Sequence, residues 1–433
     1  MDMDLSTVVL AASFFILLAL GIPIAISIGI STILTMLFTI APGPAVTTVA
    51  QRMAGGINSF ALLAIPFFIL SGLLMGRGGI ARRLIAFAKV LVGMLPGGLA
   101  YVNVLACMFF GAISGSAAAA TSAIGGFMIP VMKDEGYDND FSTAITMCAS
   151  TTGLLIPPSN VMIVYSLASG GVSIAALFIA GYLPGILLGI CLMIASAVFA
   201  RIKKFPVGRR DGFKESLRRF FDAIPSLLLI LIVIGGIIAG YFTATEASAI
   251  AVLYSLFLSH IIYREVKWKE LPQILLKTVE TTAIVMLLIG TSTAMSWILS
   301  YQNIPQNISA ALVGLTDSKF LILLIINAIL LVVGMFMDMT PAVLVFTPIF
   351  LPVVMKLGIS PLHFGIIMIL NLCIGLCTPP VGAVLFLGCG IGKTTIEKVL
   401  PYLLPMFLAM TVSLLLVTYI PWISEALPKA FGY

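Results

Sequence analysis

Two adjacent prolines, Pro157 and Pro158, interrupt an apolar stretch, and the same interruption recurs at Pro379 and Pro380. Proline has no backbone N–H and its ring clashes with the preceding turn, so two in succession cannot continue a helix. Apolar sequence nevertheless flanks the first pair from Phe141 through Leu167. Such a chain must break helices inside an apolar medium. The freed carbonyls must then face protein or a watery cavity, because lipid cannot satisfy them.

Composition identifies the medium. Of 433 residues, 61% are hydrophobic and 9% charged, against about 25% charged in soluble domains. Apolar runs at 6–37, 61–75, 174–200, 226–240, 320–337 and 402–417 approach or exceed the ~20 residues a helix needs to cross a bilayer. The whole chain, 1–433, reads as one all-α polytopic membrane domain in a lipid bilayer. Gly21-Ile22-Pro23 either bends one long first helix or ends a short one. The start of the chain lacks a signal peptide's basic region, so the first run is expected to be retained. The net charge of +6 lies mostly in short loops, which argues against a nucleic-acid partner. By the positive-inside rule, segment 201–222, with Arg201, Lys203, Lys204, Arg209, Arg210, Lys214, Arg218 and Arg219, is a cytoplasmic loop of an inner-membrane protein.

The two breaks belong to a longer internal repeat. Ile129-Pro130-Val131-Met132, Gly136, Gly153, Pro157-Pro158 and Gly170 map onto Leu351-Pro352-Val353-Val354, Gly358, Gly375, Pro379-Pro380 and Gly392 at one ungapped offset of 222. Apolar letters match easily by chance in a membrane protein, but prolines and glycines in register do not. Residues 1–200 form the first repeat and 223–433 the second. Transporter folds with discontinuous helices commonly use inverted repeats, and inversion is expected here. The broken helices span 141–169 and 362–388.

A polar tip precedes each break. Gly111-Ala112-Ile113-Ser114-Gly115-Ser116 divides two apolar arms within 102–131, each too short to cross alone. Gly334-Met335-Phe336-Met337-Asp338-Met339-Thr340-Pro341 does the same within 320–356. Both read as re-entrant hairpins; small residues that merely let helices pack closely are the competing explanation. Carbonyls at the breaks, with Ser159, Asn160 and Thr378, are hard oxygen ligands suited to a small cation. Asp338 is an ionisable group in apolar sequence, a functional candidate by default. It could ligate a cation, relay a proton or pair with a base.

Other features read as structure. Glu246 in Thr243-Ala244-Thr245-Glu246 fits a helix start. Asn139 and Asp140 could cap a helix beginning near Phe141. Segments 77–89 and 267–278 mix basic and apolar residues and suggest interfacial amphipathic helices. The six cysteines lie in apolar stretches and read as small buried hydrophobes. Gly390-Ile391-Gly392-Lys393-Thr394 lacks the first glycine of a phosphate loop, since position 387 is Leu. No enzyme motif is present, so catalysis is not expected. A channel would more naturally show rings in a symmetric oligomer.

Taken together, Ile65-Pro66-Phe67-Phe68, residues 111–121, Leu155-Ile156-Pro157-Pro158-Ser159, Thr243-Ala244-Thr245-Glu246-Ala247 and Cys377-Thr378-Pro379-Pro380 give a chain that resembles, over essentially its full length, the large membrane subunit of tripartite ATP-independent periplasmic (TRAP) transporters. It looks most like the sialic-acid members. The resemblance implies an elevator-type fold, with sodium as the coupling ion where each hairpin tip meets the opposing break. One sodium site would involve Ser114, Ser116, Gly153, Pro157, Ser159 and Asn160. The other would involve Gly334, Asp338, Thr340, Gly375, Thr378 and Pro379. Substrate would lie between the tips, near Ser116, Thr121, Ser159 and Thr340. The implied partners are a small four-helix membrane subunit, expected as a separate chain, and a periplasmic substrate-binding protein. The implied activity is sodium-driven uptake of a carboxylate-bearing substrate, sialic acid first. A C4-dicarboxylate, or proton-coupled transport of an organic anion without a binding protein, is the alternative.

Overall fold

The computed structural model describes residues 5–207, 212–316 and 318–433. Met1–Asp4 at the start, and Arg209 and Arg210 of the basic loop, lie outside the described residues. Eight helices among the described residues are long and apolar enough to cross a membrane.

The first half runs α1 (Leu5–Ala19), α2 (Ile24–Thr39), α3 (Pro42–Ile57), α4 (Ala64–Arg77) and α5 (Ile80–Val92). A hairpin follows, made of α6 (Gly98–Ser114), the short α7 (Ala117–Ala120) and α8 (Gly126–Asp134). Then come α9 (Asn139–Ser150), α10 (Asn160–Ala168) and α11 (Ile174–Lys203). The second half runs α12 (Phe213–Ile238), α13 (Ala244–Leu256), α14 (Leu271–Tyr301) and α15 (Ile304–Leu315). Its hairpin is α16 (Lys319–Phe336) and α17 (Met339–Lys356), followed by α18 (Pro361–Gly375), α19 (Ala383–Gly392), α20 (Ile396–Tyr419) and α21 (Trp422–Ala430).

The offset of 222 extends to the elements themselves. It carries Ser114, Asp134 and Asn139 onto Phe336, Lys356 and Pro361, which end α16, end α17 and start α18. It also carries α2 onto α13 and α5 onto α15. The equivalent elements run antiparallel. Cys373 donates its thiol to Thr151 O and Cys377 to Met147 O, both at 3.5 Å, so α9 and α18 pass in opposite directions. Thr151 and Cys373 are themselves 222 apart, so the two helices cross at a pair of equivalent residues. That is the signature of a two-fold relation with inversion. Arg52 beside Trp297 and Gly56 beside Thr293 show the same antiparallel sense for α3 and α14.

Local chemistry explains several boundaries. Gly21 adopts φ +76°, a left-handed conformation that glycine enters without penalty, so α1 ends there and α2 starts anew after Pro23. Thr243 and Glu246 form a reciprocal capping box at the start of α13. The cap of α9 is Asp138, not Asn139 or Asp140: its Oδ1 accepts from the backbone N–H of Asp140 at 2.8 Å and of Phe141 at 3.3 Å. Asn139 instead donates to Gly392 O at 2.8 Å, joining the two halves. Segment 77–89 becomes α5, but 267–278 is not a separate interfacial helix. After the single turn Trp268–Glu270 the chain enters the unbroken 31-residue α14 with Pro at its first turn, and nothing in 273–278 interrupts it. The counterpart of α5 is α15.

Candidate ion and substrate site

Each hairpin meets the broken helix of its own half through glycine. A Cβ on Gly111 would stand 2.2 Å from Gly153 Cα, and one on Gly375 would stand 2.5 Å from Gly334 Cα. Both contacts are backbone against backbone, so no side chain fits at either crossing. They bring the hairpins close enough for their tips to reach the breaks.

In the first half the tip is seated. Gly115 turns at φ +59°, and a Cβ there would lie 2.6 Å from Pro158 O and 3.3 Å from Asn160 N. Ser116 Oγ accepts from Ala119 N at 3.3 Å and caps α7. The break itself, from Thr151 to Ser159, is buried throughout. Between the 3-10 turn Thr151–Leu154 and α10 the chain has no regular structure. Here three oxygens are buried without a hydrogen-bond partner: Ser114 Oγ, Ser159 Oγ and Asn160 Oδ1. Leaving a buried polar atom unsatisfied costs about 1–3 kcal/mol, so three at one tip-and-break junction mark a place for a polar guest, water or ion. The donors are neutral and hard, with the break's carbonyls beside them, and no cluster of acidic, His or Cys side chains able to hold a metal occurs among the described residues. Such a set suits a small monovalent cation better than a divalent or thiophilic metal.

The second half is more open. Val381 N donates to Met335 O at 3.2 Å, tying break to hairpin. Thr378 Oγ1 donates to Ile374 O at 2.7 Å. Thr378 and Pro379 are half-buried, while Pro380 and Val381 are exposed. Asp338 caps α17, accepting from Met339 N at 2.8 Å. It is accessible from outside the protein, although enough chain surrounds it to make a recess rather than a projecting surface. The ionisable group that stands out in apolar sequence is thus the cap of α17 at the second tip. Thr340 is half-buried on the first turn of α17. Thr121 is fully buried, with its Oγ1 2.7 Å from Ser150 Oγ and 2.8 Å from Ala117 O. Sequence reasoning missed Gly72 of α4, where a Cβ would lie 3.3 Å from Ser114 Cα. A lone glycine in an apolar run carries no sign of what approaches it.

The fold matches a solved transporter, YdaH of Alcanivorax borkumensis, with a TM-score of 0.65 over 98% of this chain and 99% of that one at 14% identity. The sequence decides the family. The model of the DctM component of tripartite ATP-independent periplasmic transporters matches residues 11–423. The chain belongs to this family. It is a multi-pass membrane permease component and not an enzyme. Among relatives, YgiK of Salmonella typhimurium, an uncharacterized protein, is 54% identical over 98% of both chains. The C4-dicarboxylate TRAP transporter large permease protein DctM of Pseudomonas aeruginosa is 42% identical over 94% of both. The sialic acid permease SiaM of Vibrio cholerae is 37% identical over 96% of this chain and 97% of its own. The particular likeness to sialic-acid permeases expected from the motifs is thus not favoured by overall identity.

Proposed function

We propose that this permease, acting together with a small membrane subunit, couples inward movement of sodium to uptake of a small carboxylate delivered by a periplasmic binding protein. The observation that carries the ion assignment is the group of three unpartnered buried oxygens, Ser114 Oγ, Ser159 Oγ and Asn160 Oδ1, where the first hairpin meets its break. With sodium bound, these oxygens and the carbonyls of Gly153–Pro158 gain a partner and the tip is held in place. Gly334, Asp338, Thr340, Gly375, Thr378 and Pro379 form the equivalent, more open position. Closure of both tips around substrate, near Ser116, Ser159 and Thr340, then permits the hairpins and broken helices to slide as a body against α2–α4, α13 and α14.

A C4-dicarboxylate is the first substrate reading, supported by the higher identity of the permease named for it. Sialic acid is the second, supported by the motif resemblance and by SiaM. The test is uptake by proteoliposomes holding the chain and its small subunit, with binding protein added, under sodium, potassium or proton gradients. Succinate or N-acetylneuraminate uptake that needs inward sodium is expected. Ser159→Ala and Asn160→Ala should each raise the sodium concentration for half-maximal uptake about tenfold, the equivalent of about 1.4 kcal/mol. Uptake that follows a proton gradient and ignores sodium would reject the ion assignment and direct attention to Asp338.

A further inference from the structure

A cleft of about 600 Å³ opens between α3 and α14 on one side and the end of α10 and the second turn of α17, at Leu344, on the other, one turn beyond Thr340 of the second tip. Its wall carries Gln51, Arg52, Ser292, Thr293 and Ser296. The guanidinium of Arg52 lies over the Trp297 ring, 5.3 Å from its centroid. Arg52 takes part in none of the ion pairs formed among the described residues. The ring keeps the guanidinium beside it, and Arg52 is exposed, so its N–H groups are accessible to a ligand. Ser292 is 1% exposed and its Oγ has no hydrogen-bond partner. A helical serine ordinarily returns its hydroxyl to a carbonyl of the preceding turn, as Thr293 does to Ile289 O at 2.7 Å. Ser292 does not, and it lines the cleft.

The side of the membrane follows from charge. Helix α11 ends in the basic stretch at Arg201 and Lys203, which the positive-inside rule places in the cytoplasm. Its 30 residues rise about 45 Å, so its start at Ile174, and the Leu167–Ala168 end of α10 just before it, lie at the periplasmic face. The cleft therefore opens where a binding protein would release its cargo.

We propose that this cleft is a carboxylate-receiving site at the periplasmic mouth, in which Arg52 grips the carboxylate through paired N–H donors and the Ser292 hydroxyl donates a further hydrogen bond. The inference rests on the reading of the chain as a carboxylate permease. It places the first contact on the helices that carry no hairpin, so the anion is held before the tips close on it. Gln51, Thr293 and Ser296 supply neutral polar groups for the rest of a small hydroxylated or dicarboxylic molecule.

Trp297 provides the readout. The purified complex of chain and small subunit, in detergent, would carry Trp268→Phe and Trp422→Phe, both at exposed positions, which leaves Trp297 as the tryptophan of this chain. Any tryptophan of the small subunit would be replaced as well. Succinate, fumarate and N-acetylneuraminate would be titrated in the absence of any ion gradient, with uncharged succinamide as control. A saturable change in Trp297 emission is expected with at least one carboxylate and none with succinamide. Arg52→Gln should weaken that binding roughly tenfold or more, as expected for loss of a charge-assisted pair. Arg52→Lys should recover part of it and Ser292→Ala should weaken it less, with unchanged thermal stability in all three. No saturable response to any of the three carboxylates overturns the proposal, and so does a response that Arg52→Gln leaves unchanged. The two readings fail separately. Sodium-driven uptake unaffected by Arg52→Gln retains the transport function and removes this site, whereas Arg52-dependent binding without sodium-driven uptake does the reverse.

Discussion

At the residue scale, positions that admit no added side-chain atom are distinct from buried polar positions left without a hydrogen-bond partner. Gly111 and Gly153, and Gly334 and Gly375, meet backbone to backbone, and an added methyl must push the hairpin away from its break. Overpacking of this kind costs about 1–3 kcal/mol. Gly111→Ala and Gly375→Ala should therefore each lower the melting temperature of the purified protein and abolish uptake. Ser159→Ala and Asn160→Ala should change ion dependence while leaving melting unchanged. Asp138, in the loop before α9, makes a pH prediction. Partial burial alone would raise its pKa. Hydrogen bonds from Tyr402 and from the N–H groups of Asp140 and Phe141, with the charge of Lys203, outweigh that and hold the carboxyl below the usual aspartate range. A lowered folded-state pKa means stability that is present above the ordinary aspartate value and lost as pH falls through the lower one. The wild type should then melt higher than Asp138→Asn at neutral pH, and the difference should shrink on acidification below the ordinary aspartate range. A pH-independent difference would contradict the assignment.

At the element scale, the helix breaks, the hairpins and the α13 cap were legible in the sequence, because proline, glycine and capping residues act through local backbone geometry. The Thr243–Glu246 box is such a case. Thr243→Ala removes both a side-chain acceptor and the partner of Glu246, and about 1 kcal/mol of stability should go with it, read as a lower unfolding temperature with sodium-dependent uptake retained. Elements whose limits depend on distant packing were not legible. Segment 267–278 carries the composition of a surface helix yet begins a long span. The counterpart of α5 was found only when α15 took its place in the second half. Within the site, the seating of Gly115 on Pro158 was foreshadowed by the small-residue tip. The inward bond of Thr121 to Ser150, the open recess around Asp338 and the cleft of Arg52 depend on helices far apart in sequence, and no local pattern announces them.

At the scale of the whole molecule, the sliding-body mechanism predicts that fastening a hairpin tip to α4 stops transport. Gly72 and Ser114 are close enough for this: a Cβ at 72 would lie 3.3 Å from Ser114 Cβ, near the separation found in disulfides. A Gly72→Cys, Ser114→Cys pair should therefore crosslink on oxidation, and the crosslinked permease should show no uptake, with reduction restoring the rate of the uncrosslinked variant. Complete crosslinking with that rate intact would mean the tip does not leave α4 during the cycle. The antiparallel crossing of equivalent helices at Thr151 and Cys373 has a further consequence. Each face of the membrane is offered the same hairpin and the same break, one from each half of the chain. A machine built this way carries no arrow of its own. Whether cargo enters or leaves is then a matter of which side is richer in ion and cargo, and of which side a delivering partner can reach.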